Sequence, residues 1–172
     1  MSFGFRRDLA NSRLDVEVAG VDILQMTTTA VTIPAAITSG LTIVAGGLTA
    51  TAGGVTITAG GVTYAGRSTV DQGGTDHTAG VTISANSGII TLANADLAAG
   101  TEVRFVVTNT KVAVGDVIAL CIGDYADGGG MGTATVEDVA AGAFTVLLSE
   151  TIAANAFNDD TTLNFVLIQS NA

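Results

Sequence analysis

The stretch GLTIVAG-GLTATAG-GVTITAG-GVTYAG runs from Gly40 to Gly66, in units that begin at Gly40, Gly47, Gly54 and Gly61. Its period is seven residues, with the last unit one residue short. A heptad usually means a coiled coil, but these residue types exclude one. Glycine pairs recur at Gly46-Gly47, Gly53-Gly54 and Gly60-Gly61, and each glycine costs a helix interior about 1 kcal/mol. No charged positions flank an apolar seam, and Thr and Val crowd the remaining sites. Between the glycines the pattern alternates. Leu41, Ile43, Ala45, Leu48, Ala50, Ala52, Val55, Ile57 and Ala59 fall on one face, with Thr42, Thr49, Thr56, Thr58 and Thr63 on the other. A period of two, reset by two-residue glycine turns, is a β repeat.

Such a repeat cannot stand alone. Leu41, Ile43, Leu48, Val55, Ile57, Val62 and Tyr64 are too few to offset the conformational entropy of ordering 27 residues. An isolated meander would also leave its edges bare. Units this short do not complete a turn of an ordinary solenoid. Three copies wound about a common axis, however, place small residues at a crowded centre and Gly at each corner. The expectation is an intertwined, homotrimeric, β-helix-like stalk over residues 31–69, packed through Leu41, Ile43, Leu48, Val55, Ile57 and Val62.

The whole chain has 172 residues, 48% apolar and only 13% charged, so Thr, Ser, Gly, Asn and Ala must form much of its surface. With 22 Gly, one Pro and no Trp, that composition fits a turn-rich all-β protein. The net charge of −10 argues against nucleic acid as a partner, since phosphate binding needs Lys and Arg. No apolar run is long enough for a membrane span, and no signal peptide opens the chain. Cys121, the single cysteine, sits in the apolar run Val117–Ile122 and reads as a buried, inert thiol. Without a disulfide framework, the reading is synthesis in a reducing cytoplasm.

Residues 1–30 read as an attachment foot: an arm over 1–13, then a hairpin. The arm holds Arg6, Arg7 and Arg13, half of the six basic residues, beside Phe3 and Phe5. Aromatic and Arg side chains are the types enriched at interface hot spots, so these five are the candidate attachment residues, on an arm whose loss would leave the fold intact. LDVEV and VDILQM around Ala19-Gly20 form the hairpin, with Leu14, Val16 and Val18 on one face. Pro34 fits a strand edge.

Between Arg67 and Gly80 the chain is polar and Gly-rich, and a domain boundary is expected there. Residues 70–172 then carry short strands at Val81–Ser84, Ile89–Leu92, Glu102–Thr108, Asp116–Ile122, Thr133–Val139, Phe144–Leu148 and Leu163–Gln169. This spacing predicts an antiparallel, jelly-roll-like β-sandwich. Several of these strands are apolar on both faces, which implies cover from another subunit.

No nucleophile elbow, phosphate loop or zinc spacing is present, and the chain reads as a non-enzyme without cofactor or metal. His77, the only histidine, would occur three times in a trimer, where three imidazoles on the axis can hold a metal. The simpler reading is a solvated or hydrogen-bonded loop side chain. Asp124, Asp127, Asp159 and Asp160 fall in loops and could reach Ca²⁺ together, but their spacing matches no EF-hand.

SRLDVEVAGVDILQMTTTAVTI (12–33) with the following heptads resembles the shaft-forming segments of fibre and head-decoration proteins of tailed bacteriophages. FVVTNTKVAVGDVIAL, VEDVAAGAFTVLLSE and LNFVLIQSNA resemble the β-sandwich end domains of the same class. The resemblance covers most of the chain and carries over no active residue. It implies a homotrimer on the virion surface, attached through its N-terminal side to the major capsid protein or another virion protein. Its shortness favours a capsid decoration, or cement, protein that stabilises the head. The alternative is a short tail fibre, spike or head fibre whose sandwich binds a host-surface receptor.

Overall fold

Alternation of side chains along extended backbone shapes most of this chain, and its computed structural model is all-β, with no helix among the described residues. Those residues are 3–34, 43, 55–58, 61–64, 66–125, 132–150, 157 and 161–170. Two compact units divide between Ala59 and Gly60. The Gly-rich segment 67–80, expected to separate domains, belongs to the second unit.

In the first unit, β1 (Phe3–Asp8), β2 (Arg13–Val18), β3 (Val21–Met26) and β4 (Val31–Thr32) form one antiparallel sheet in sequence order. The expected arm is therefore an edge strand, paired with β2 from Phe3↔Val18 to Asp8↔Arg13. The hairpin turn falls at Ala19-Gly20, both with positive φ (52° and 83°), as a two-residue turn between twisted strands requires. A bulge after Val16 leaves Ile23 without a partner. Beyond it Val16 faces Leu24, Asp15 faces Gln25 and Leu14 faces Met26. A simple two-residue register would have set Asp15 opposite Leu24, so the bulge keeps like beside like.

The second unit contains two four-stranded sheets. One has the order β10 (Gly132–Ala140), β11 (Ala143–Glu150), β8 (Glu102–Thr108), β6 (Val81–Thr82). The other has the order β5 (Ser68–Asp71), β7 (Ser87–Thr91), β12 (Thr162–Ile168), β9 (Val117–Asp124). From β5 to β9 successive strands alternate between the sheets, reversing direction each time. Neighbours two strands apart in the chain then run parallel, as β5 with β7 and β6 with β8. This corrects the purely antiparallel expectation: both sheets are mixed, because β6 and β7, and with them β5, which the sequence did not reveal, alternate between the sheets instead of pairing as hairpins.

Inward-facing residues of both sheets meet in one core, with Phe105, Val107, Phe144, Val146 and Leu148 from one and Ile90, Leu163, Phe165 and Leu167 from the other. Strand β11 buries every second residue, Phe144, Val146, Leu148 and Glu150. Buried polar side chains tie the loops down. Gln72 donates to the carbonyls of His77 and Ala79 (3.0 and 2.8 Å) and accepts from the Ala93 amide (3.1 Å). Asn109 donates to the Ala85 carbonyl (2.8 Å) and accepts from the Lys111 amide (3.0 Å). Asp116 accepts from the Ala113 and Ser170 amides, 2.8 Å each, fastening the end of β12 to the turn before β9. Those backbone hydrogen bonds hold the Asp116 carboxyl below its ordinary range.

Gly88 marks a close approach between the two sheets in this core. A Cβ there would lie 2.6 Å from both Ile83 Cδ1 and Phe165 Cε1. The Phe165 ring is buried against Phe144 of the facing sheet and has little room to yield. Gly88→Ala is expected to lower unfolding free energy by about 1–3 kcal/mol, read from the urea midpoint; an unchanged midpoint would refute this packing.

Candidate attachment surface

Backbone register sorts the first unit's sheet into two chemically distinct faces. On one lie Arg6, Asp8, Arg13, Asp15, Glu17, Asp22 and Gln25, paired as Arg6↔Asp15, Asp8↔Arg13, Asp15↔Gln25 and Glu17↔Asp22. On the other lie Phe5, Arg7, Leu14, Val16, Leu24, Met26 and Val31.

The charged face is closed on itself. Asp15 is fully buried, with Arg6 Nη2 3.1 Å from Oδ2 and Arg13 Nε 2.9 Å from Oδ1. Arg6 Nη2 also reaches Asp22 at 3.0 Å, and Arg13 Nε lies 3.4 Å from Asp8. Three arginines meet four acids in this unit, for a net −1. Arg6 and Arg13, two of the expected attachment residues, are thus occupied within their own sheet. Leu14, Val16 and Val18 do share one face, as the alternation predicts. Asp15, on the other face, is the most buried residue of β2, since two guanidiniums from β1 and β2 converge over it.

The opposite face is open. Phe5 is 78% exposed, Val31 68%, and Leu14 is exposed, while Val16, Leu24 and Met26 are half-covered. Arg7 stands on this face, and a hollow at the end of the sheet is lined by Arg7, Leu9, Leu14, Met26, Thr27 and Thr28 together with Asp8, Ser12 and Arg13. Of the predicted attachment residues, Phe5 and Arg7 therefore share an accessible surface, Arg6 and Arg13 build the sheet behind it, and Phe3 is the first residue of β1.

Among the stalk residues, Leu41 and Leu48 lie outside the described residues, as do the turns at Gly46-Gly47 and Gly53-Gly54. Ile43, Val55, Ile57, Val62 and Tyr64 are all exposed. Residues 55–58 and 61–64 form no strand in the single chain, where no described segment pairs with them.

His77 is buried, 3% exposed, so of the two expected states of this loop residue the hydrogen-bonded one holds and the solvated one does not. Nε2 donates to the Ala95 carbonyl at 2.7 Å and the ring meets Phe157 edge-on at 6.3 Å. Nδ1 is buried without a hydrogen-bond partner. Among the described residues no group of His, Cys, Asp or Glu is placed to hold a metal ion. Asp124 ends β9, and Asp127, Asp159 and Asp160 lie outside the described residues. Cys121 is exposed on β9, correcting the buried-thiol expectation.

Burial pushes the His77 imidazole below its ordinary pKa of 6.5, outweighing the Ala95 carbonyl and the charges of Asp76 and Asp96. The unfolded chain binds its proton as pH falls past 6.5, while the folded chain resists it. Stability is therefore fully present above that pH and declines below it. The urea midpoint should drop between about pH 7.5 and about pH 5.5, and drop less in His77→Gln. Equal drops in both proteins would remove His77 as the cause.

Neither a scan against protein-family models nor searches of curated proteins and of solved structures returned a match.

Proposed function

We propose that this chain is a homotrimeric structural protein of a virion surface, a capsid decoration protein that attaches through its N-terminal sheet. The observation that carries the attachment is the two-faced sheet: its charges are consumed on one side, leaving Phe5, Leu14 and Val31 exposed with Arg7 on the other. A sheet needs cover on its apolar face, and a lone arginine among apolar side chains fits a shell surface that offers a carboxylate within an apolar patch.

The repeat supports the trimer. Its described apolar residues remain exposed and unpaired in one chain, which is the state expected of a segment whose partners are other copies. In that reading the repeat, residues 40–66, winds into the β stalk, while Val31–Thr32 stay in the N-terminal sheet and Ser68–Thr69 in β5, so the expected 31–69 is shortened at both ends; the two sheets of the second unit form a sandwich-like knob. The resemblance to fibre and head-decoration proteins of tailed phages, with the shortness of the repeat, supports a seat on a head.

Light scattering of the purified chain should give three times 17.1 kDa; a folded monomer would refute the trimer. Co-sedimentation with shells assembled without the protein tests attachment. Phe5→Ser combined with Arg7→Ala should keep the folded trimer and reduce shell binding by about tenfold or more. Arg6→Ala should instead lower the stability of the sheet, because Asp15 loses one of its two guanidiniums. Undiminished sedimentation of the Phe5/Arg7 double variant would place attachment elsewhere.

A further inference from the structure

Charge is distributed very unequally between the two sheets of the second unit. Strands β5, β7, β12 and β9 contain only two charged residues, Asp71 and Asp124, each the last residue of its strand. Strands β6, β8, β10 and β11 contain Glu102, Arg104, Glu137, Asp138 and Glu150. On their outer side Arg104 bridges Glu137 at 2.6 Å and Glu102 at 3.4 Å.

The outer side of the β5-β7-β12-β9 sheet is uncharged away from those strand ends. Register sets Val117 beside Ile168, Ala119 beside Val166 and Cys121 beside Asn164. Val117, Ile168, Ala119 and Cys121 are exposed. Asn164 lies down over Gly123, where a Cβ would stand 2.3 Å from its Nδ2. An apolar depression opens here, lined by Ala119, Leu120, Cys121, Phe165 and Val166. Next to it runs a groove with Val62–Tyr64 and Arg67 on one wall, and β7 and β12 on the other.

Two facts select the occupant. The second unit carries twelve acids against Arg67, Arg104 and Lys111, so copies of it repel one another except through a surface that is free of charge. Among the described residues this surface qualifies, and it adjoins the last unit of the Gly-rich repeat. We propose that the outer face of the β5-β7-β12-β9 sheet packs against other copies of the same chain, with Cys121 and Val166 inside the contact. The proposal rests on the trimer reading and adds to it the surface that the second unit uses. The charged outer face of the other sheet is then left free.

Cys121 reports on this without any substitution. In the full-length native protein its maleimide labelling should be about tenfold slower, or more, than in the urea-unfolded chain. Val166→Glu and Ala119→Lys each put a charge into the contact. Each should restore fast labelling while the β-sheet circular dichroism persists, whether or not the repeat still holds three chains together. Light scattering separates the two levels of the argument. A trimer whose native Cys121 labels as fast as the unfolded chain overturns this face and leaves the trimer standing. Slow labelling that persists in both folded variants also overturns it, since the cover then comes from elsewhere. A folded native monomer overturns both. Should both variants fail to fold, labelling of the native trimer decides alone, slow supporting the face and fast refuting it.

Discussion

Phe144 and Phe165 meet across the two sheets of the second unit, ring centroids 5.5 Å apart and tilted by 60°. Both rings are buried, and tilted aromatic pairs of this kind add to what burial alone contributes. Their contact constrains the strands around it. Phe165 sits opposite Gly88 on one side and Leu120 on the other, while Phe144 sits opposite Val107 and Val139. A slip of one residue in β12 would turn Leu163, Phe165 and Leu167 outward together. Gly88 is glycine because the Phe165 ring occupies the space its Cβ would need. With those registers set, the loops are held by the side chains that reach their backbone: Gln72, Asn109 and Asp116.

Much of this was legible because alternation is a local signal. Strand β8 spans Glu102–Thr108, as its pattern predicts, and the β2-β3 hairpin turns at Ala19-Gly20. Failures came where the deciding contact is distant. Ser68–Asp71 is polar and lies among glycines, yet it forms β5 because β7 accepts it as a parallel neighbour. His77 sits in a stretch with every mark of a solvent loop. Burial comes from Phe157, eighty residues along the chain, and the loop is drawn inward by Gln72.

A second kind of failure concerns faces. Val117–Ile122 is apolar on both sides, so its sequence does not distinguish the covered side from the open one. Cys121 falls on the side away from the Phe165 ring, and is exposed. In β2 the alternation is clear, but Leu14, Val16 and Val18 are the open row and Asp15 is the closed one. Apolar character does not decide burial there. Arg6 and Arg13 do, since each guanidinium needs an acceptor and Asp15 lies between them.

These two surfaces obey one rule. An acidic chain gains solubility from its charge but pushes away its own copies, so contact surfaces must be kept separate from charged ones. In the N-terminal sheet the separation is achieved by pairing: four acids and two arginines are drawn to one side, and the other is left apolar with Arg7. In the β5-β7-β12-β9 sheet it is achieved by exclusion, with acids confined to strand ends. Pairing leaves a surface that still carries a cation, suited to a partner with acidic groups. Exclusion leaves a neutral one, suited to a copy of itself. On the proposed reading, the different treatment of charge is what gives the two faces different partners.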